Sequence, residues 1–159
     1  KDNELKNIFY IDGGSSVLGL ESTVLQTTKE GCKILRLGSL TIEEIKKKFS
    51  EYNIETTESN LSPGNQLKHY SPNKAIRINA ENVFDNEALL NFGKNNLKSK
   101  IQDLNLSIKA DLNEASYNFY NFLNILDKSK CNRIAVAPIP NHGLGKTMND
   151  RLKRAAYED

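Results

Sequence analysis

Three consecutive side chains, Lys68, His69 and Tyr70, set a cation, an imidazole and a phenol side by side in the loop Ser62-Pro63-Gly64-Asn65-Gln66-Leu67-Lys68-His69-Tyr70-Ser71-Pro72. Two prolines and a glycine restrict this backbone and no apolar period exists to bury it, so its polar groups are offered to a ligand or partner. Gly19-Leu20-Glu21-Ser22-Thr23-Val24 places a carboxylate and two hydroxyls where a strand begins. No histidine lies nearby in sequence to serve Ser22 as a base, so the segment suits orienting a substrate better than triad chemistry. Arg36, in Ile34-Leu35-Arg36-Leu37-Gly38, has the planar fork that binds phosphate, although a lone arginine is also an ordinary surface cation. His142-Gly143-Leu144-Gly145-Lys146-Thr147 ends in Gly-Lys-Thr between a strand and a helix. Pro140 stands where a phosphate-binding P-loop needs a glycine, and proline has no amide hydrogen to offer, so the motif reads as a strand-to-helix turn.

The chain that must position these groups has 159 residues, 38% apolar and 26% charged, enough for one ordinary domain or two small ones. Its 22 basic and 20 acidic residues are spread along the sequence and leave a net charge of +2, which makes no electrostatic case for nucleic acid or membrane binding. Cys32 and Cys131 lie far apart within apolar runs, a pattern of buried thiols in a reducing compartment rather than a disulfide or metal site. No acid–base catalyst and no metal-ligand set stands out. No apolar run approaches the roughly 20 residues of a membrane span, and no signal-peptide pattern is visible, so a cytoplasmic location is expected. Lys1 precedes the first predicted strand by only a few residues, which suits a piece of a longer chain.

Phe9-Tyr10-Ile11 reads as a short strand ending at the turn Asp12-Gly13-Gly14. Thr23–Gln26 and Lys33–Arg36 are further strands, and Lys29-Glu30-Gly31 between them suits a hairpin turn. Thr41 with Glu44 forms a capping box for a helix over 41–51, with Ile42, Ile45 and Phe49 at helical spacing and Lys46-Lys47-Lys48 on a wet face. From Asn53 to Asn73 periodicity gives way to Thr, Ser, Asn, Pro and Gly, which marks a linker. Beyond it a strand is expected at 75–78 and another at 104–108, while 82–96 suits a strand or a short helix equally. Asp111 with Glu114 opens the strongest helix, with Leu112, Ala115, Phe119, Phe122, Leu123 and Leu126 as its buried stripe. Tyr117, Phe119, Tyr120 and Phe122 read as helix packing rather than a base-stacking platform. A strand at 134–137, a loop over 138–145 and a helix over 147–156, with Met148, Leu152 and Ala155 inward, complete a layered α/β pattern with parallel pairing.

Taken in order, Tyr10-Ile11-Asp12-Gly13-Gly14, Gly19 to Val24, Ile34 to Gly38, the loop Ser62 to Pro72, and Gly143-Leu144-Gly145 with Asn149-Asp150-Arg151-Leu152 and Arg154-Ala155-Ala156 resemble the threonylcarbamoyl-AMP synthases. The likeness is to the long form, in which a YrdC-type catalytic domain is joined by a linker to a C-terminal accessory domain. The resemblance implies residues 1–52 as the C-terminal part of a YrdC-like α/β domain, 53–74 as the linker and active-site loop, and 75–159 as a small Rossmann-like parallel α/β domain. It implies a nucleotidyltransferase reaction in which threonine, bicarbonate and ATP, with magnesium, give threonylcarbamoyl-AMP and pyrophosphate for threonylcarbamoyladenosine modification of tRNA. Under it Ser22 would contact threonine, Arg36 and Tyr70 would contact ATP, and Lys68 and His69 are candidate lid contacts.

Two departures from the family pattern bear on this. Leu37 replaces the proline of its Arg-Pro-Gly, which would loosen the turn that aims Arg36, and Asn65-Gln66-Leu67 replaces its Met-Lys-Tyr-like stretch. The family's basic Lys-x-Arg and Ser-x-Asn segments have no counterpart here, so the chain is expected to be inactive alone and to need the missing N-terminal catalytic portion or tRNA-modification partners. The alternative is a non-catalytic nucleotide-binding or interaction module, and an RNA-binding module is disfavoured by the balanced charge.

Overall fold

In the computed structural model residues 11–14, 19–29, 31–56 and 71–156 are described, so Lys68, His69 and Tyr70 lie outside the description, as do Phe9 and Tyr10. Ile11 is exposed and outside any strand, while the expected turn after it is present: the Gly14 amide donates to Asp12 Oδ1 at 2.8 Å.

The first unit comprises β1 (Val24–Thr27), β2 (Gly31–Arg36), α1 (Ile42–Lys48) and β3 (Asn53–Thr56). β1 and β2 form an antiparallel hairpin, closed by the Thr28 amide on the Gly31 carbonyl at 2.8 Å. The chain crosses through α1 and returns as β3, parallel to β2, giving the order β1-β2-β3. α1 begins where the capping box requires: Thr41 Oγ1 accepts the Glu44 amide at 3.2 Å, and Glu44 Oε2 accepts the Thr41 amide at 2.8 Å. It buries Ile45, and β2 buries Ile34, the two being 1% and 2% exposed. Residues 53–56, expected to open the linker, instead complete this sheet. One apolar residue, Ile54, is too little alternation to announce a strand, but the ladder to β2 holds it.

The second unit contains β4 (Ala75–Arg77), β5 (Glu87–Asn91), β6 (Asp103–Asn105), α2 (Leu112–Asp127), β7 (Arg133–Val136) and α3 (Gly143–Ala155). Its strands run in the order β4-β7-β5-β6 and every pair is parallel, as the alternating pattern implied. The ambiguous stretch 82–96 resolves into β5, buried at all five positions, as a central parallel strand must be. α2 and α3 cover one face, with Phe119, Leu126, Met148 and Leu152 over Leu90 and Ile134. Ala80, Leu89 and Ala135 form a smaller core on the other face, with Val83 and Leu97 from flanking loops.

Two boundaries and one helix cap in this unit differ from expectation. β6 stops at Asn105, short of the apolar run to Ile108, which is itself exposed. α3 starts at Gly143 rather than Thr147, because two glycines that look like loop are absorbed into its first turn. At α2, Asp111 Oδ1 accepts the Asn113 and Glu114 amides at 2.7 and 2.9 Å, but the Glu114 carboxylate takes the Ser107 hydroxyl instead of closing a capping box.

Glu87 opens the central strand with its carboxylate buried. Arg77 engages it through both arms, Nε to Oε1 at 2.9 Å and NH2 to Oε2 at 2.6 Å, and the Phe84 amide adds a third bond at 3.0 Å. The Arg77 hydrogen bond, more than any other influence, holds the Glu87 carboxyl below its ordinary value despite burial. Removing one partner of such a pair strands the other, so Arg77→Ala should cost about 3 kcal/mol in urea unfolding at neutral pH. A carboxyl whose pKa is lowered on folding contributes stability above its ordinary value of 4.5 and loses it as pH falls through the lowered one. The penalty of Arg77→Ala should therefore shrink in acid.

Candidate functional site

The β1–β2 register sets Val24 opposite Arg36, so the segment leading into β1 runs beside the segment leaving β2. Ser22 and Arg36 meet there. Arg36 Nε donates to the Ser22 carbonyl at 3.2 Å, and Arg36 NH2 donates to the same carbonyl at 2.9 Å and to Ser22 Oγ at 3.1 Å. A hydroxyl and a guanidinium thus share one wall with Ser22 exposed on it, an arrangement suited to carboxylate or phosphate oxygens. Gly38 makes the close approach feasible, since a Cβ there would stand 2.3 Å from the Thr23 nitrogen and 2.4 Å from the Glu21 carbonyl oxygen. The Ser39 amide on the Glu21 carbonyl at 2.8 Å and the Thr23 hydroxyl on the Leu40 carbonyl at 2.6 Å pin the two segments together.

This wall is fastened to the second unit from behind. Glu21, next to Ser22, accepts the Tyr120 hydroxyl on Oε1 at 3.0 Å and Arg151 Nε on Oε2 at 3.3 Å. Arg151, 6% exposed, also donates through NH2 to the Leu37 carbonyl at 2.8 Å. The Thr147 hydroxyl donates to the Gly38 carbonyl at 3.0 Å. The turn that Leu37 was expected to loosen is therefore held by two side chains of α3. Leu20 is only 7% exposed and belongs to the core of the second unit. Gly19 lies so close to α2 that a Cβ would sit 2.0 Å from the Ser116 carbonyl oxygen.

Burial pushes the Glu21 carboxyl up more strongly than any single influence pushes it down, yet its own backbone amide, Arg151 and Tyr120 together leave it below its ordinary value. Burial, and then the adjacent Glu21 carboxylate, raise the Tyr120 phenol. Tyr120 therefore stays a neutral donor to an ionised Glu21 throughout the physiological range.

The Gly143-Leu144-Gly145-Lys146-Thr147 stretch is part of the same joint. The Gly143 amide, at the start of α3, donates to Glu43 Oε1 at 3.3 Å, so a carboxylate of α1 occupies the anion-seeking end of this helix. With Thr147 committed to Gly38, the motif docks one unit on the other.

A cavity of about 610 Å³ opens beside this joint, lined among others by Gly19, Glu21, Ser71, Pro72, Tyr120 and Asn124. The Ser71 hydroxyl oxygen is buried there without a hydrogen-bond partner. Ser71 follows Tyr70 directly, so the far end of the polar loop lines the same cavity as Glu21, the neighbour of Ser22.

Of the residues singled out by sequence, Ser22 and Arg36 are brought together, and Lys68, His69 and Tyr70 fall outside the described residues. Glu21, Tyr120 and Arg151 gain a joining role that sequence reasoning did not assign. Glu21 and Arg151 do sit within quoted motifs, and Tyr120 was visible only as one more aromatic of a packing stripe. Among the described residues no group of three or more His, Cys, Asp or Glu side chains is gathered as metal ligands. No helix there is long and apolar enough to cross a membrane.

The fold and this wall define an α/β protein in which a Rossmann-like unit buttresses the strand pair that joins Ser22 to Arg36. Residues 40–157 match the family described as threonylcarbamoyl-AMP synthase, C-terminal domain, and the chain belongs to that family. It is 26% identical over 175 residues to the threonylcarbamoyl-AMP synthase of Pyrococcus abyssi, and 25% identical over 166 residues to that of Bacillus subtilis. In both cases the match covers 92% of this chain and 48% of the relative, so the chain spans about half the length of the curated relatives it matches. The crystal structure of P. abyssi Sua5 complexed with L-threonine superposes with a TM-score of 0.73 at 23% identity, over 91% of this chain and 48% of that one. A P. abyssi Sua5 variant with a histidine and the following tyrosine replaced by alanine gives 0.70 at 21% identity, over 91% and 47%.

Arg151→Ala leaves Glu21 without its cation and the Leu37 carbonyl without its donor, at an expected cost of about 3 kcal/mol in denaturant unfolding at neutral pH. Glu21, lowered on folding, contributes above its ordinary value of 4.5 and ceases to as pH falls through the lowered one, so wild type and Glu21→Gln should converge in stability in acid.

Proposed function

We propose that this chain is the C-terminal part of an L-threonylcarbamoyladenylate synthase, acting in tRNA threonylcarbamoyladenosine modification. The observation that carries the reading is the Ser22–Arg36 contact, a hydroxyl and a guanidinium on one wall of a chain that belongs to this family. In this reading the first unit, extended through β3, is the end of the YrdC-like catalytic domain, the stretch up to residue 74 is the active-site linker, and the second unit is the accessory domain. Ser22 contacts threonine, consistent with the threonine complex of the P. abyssi relative, while Arg36 and Tyr70 contact ATP and Lys68 and His69 line the lid. The chain's single His-Tyr pair, His69-Tyr70, is of the kind replaced in the P. abyssi variant.

Threonine and bicarbonate would combine, with a C–O bond of bicarbonate broken and water lost, as a carbamate whose oxygen attacks the α-phosphorus of ATP, carried with magnesium. A new P–O bond forms and the bond to the departing pyrophosphate breaks. Such a displacement asks for alignment and charge stabilisation more than for an acid–base pair, which suits a wall that offers a guanidinium and a hydroxyl but no triad. A polar linker lowered over the site would keep water from the labile carbamate. Full turnover is assigned to a protein with the whole length of the curated relatives, about half of which this chain matches.

Calorimetric titration with ATP and with threonylcarbamoyl-AMP tests the assignment. Arg36→Ala should weaken binding roughly 10- to 100-fold, the value of a hydrogen bond to a charged group, and Tyr70→Phe should weaken it less. Supplied with threonine, bicarbonate and ATP, this chain alone should release no pyrophosphate. Absence of nucleotide binding in the wild type would favour a purely structural or interaction module instead.

A further inference from the structure

A second recess lies between the end of β2 and α3. It encloses about 220 Å³, and its described lining includes Arg36, Lys146, Lys153 and Arg154, with Asp150 as the one carboxylate among the described lining residues and Thr56, Asn141 and Asn149 adding polar groups. Lys146, Asn149, Asp150 and Lys153 follow the three-to-four spacing of one helix face, so α3 presents a cationic strip to the strand that carries Arg36. The Asp150 charge is already committed, since Oδ2 accepts Arg151 NH1 at 2.6 Å and Arg154 Nε at 3.1 Å. Among the described residues no carboxylate lies within ion-pair distance of Lys146 or Lys153, although Lys146 acts through space on Glu43, which is outside the lining. Cations from both units thus converge on a small polar space, while the chain as a whole is nearly charge-balanced.

We propose that this recess is a phosphate subsite, taking a diphosphate group, and that Lys146 and Lys153 of α3 bind it together with Arg36. Its volume lies below the roughly 300–1,000 Å³ of sites that enclose a whole drug-sized ligand, so it fits a group rather than an entire nucleotide. A long polyanion would need a track of cations across the surface, which the balanced charge does not supply. Two sources carry the right chemistry: the phosphate tail of a nucleotide and free pyrophosphate. The inference deepens the proposed function and rests on it in one respect, that Arg36 faces the nucleotide. It then gives the accessory unit a direct part in holding the phosphates, beyond its part in holding the wall.

The test is calorimetric titration of the intact chain with inorganic pyrophosphate and, separately, with ATP. Pyrophosphate should bind, weaken with added salt, and lose roughly 10-fold or more in affinity in the Lys146→Gln/Lys153→Gln variant. The Lys46→Gln/Lys47→Gln variant, altered on the exposed face of α1, should bind as wild type does, and thermal melts should show both variants folded. Loss of ATP affinity in the α3 variant identifies the nucleotide tail as a source, and loss for pyrophosphate alone identifies the free product. Lysine-dependent pyrophosphate binding, with ATP binding indifferent to Arg36→Ala, would uphold the subsite and defeat the proposed function. Pyrophosphate and ATP binding that both ignore the α3 lysines, with ATP binding still needing Arg36, would overturn the subsite and leave that function standing. No pyrophosphate binding, or lysine-dependent binding of an RNA oligonucleotide in its place, would also overturn it.

Discussion

The carboxylate of Glu21 accepts hydrogen bonds from Tyr120 on α2 and Arg151 on α3, two helices of the second unit, while its neighbour Ser22 faces the opposite way toward Arg36. Everything proposed for the wall depends on that division of labour within two consecutive residues. An ionised Glu21 half removed from water would be costly without partners. A cation and a phenol fixed by helix packing offset the cost and set the backbone angle from which Ser22 projects. The carboxylate is thus a structural fastener, and the hydroxyl that meets Arg36 lies one residue along the chain.

The Gly-Leu-Gly-Lys-Thr stretch shows how motif chemistry can be turned to another use. Its helix start could receive an anion, and it does so within the molecule, from Glu43. Its threonine could serve a phosphate-bound metal, but it donates to the Gly38 carbonyl. Lys146 acts on Glu43 through space and also lines the recess beside Arg36. The same short helix start therefore docks the first unit with two of its groups and keeps one cation for the recess.

Much of this was readable in advance wherever the information was local. Thr41 and Glu44 announced α1 because a capping box is complete within four residues, and the apolar stripe of α2 follows directly from helical periodicity. Ser22 and Arg36 could be nominated because each stands in a short motif next to a strand. The Glu21–Arg151 pair could not, since its members are 130 residues apart and each alone looks like a surface charge. β3 escaped because a four-residue edge strand with one apolar side chain has no period to detect, and α3 began early because tertiary contacts override the low helix propensity of glycine.

Leu20 belongs by sequence to the first unit and by burial to the second. The second unit therefore does not end where its own strands and helices end: one of the side chains that fills its interior arrives from the segment before β1. Cutting the chain at residue 74 would not release a finished module. It would open a leucine-sized void beneath α2, and the folding of the Rossmann-like unit is in that sense conditional on the arrival of its neighbour. The covalent boundary and the boundary of cooperative folding fall at different places along the chain, so the Ser22–Arg36 wall and the packing of the second unit both depend on the same short segment, residues 19–22.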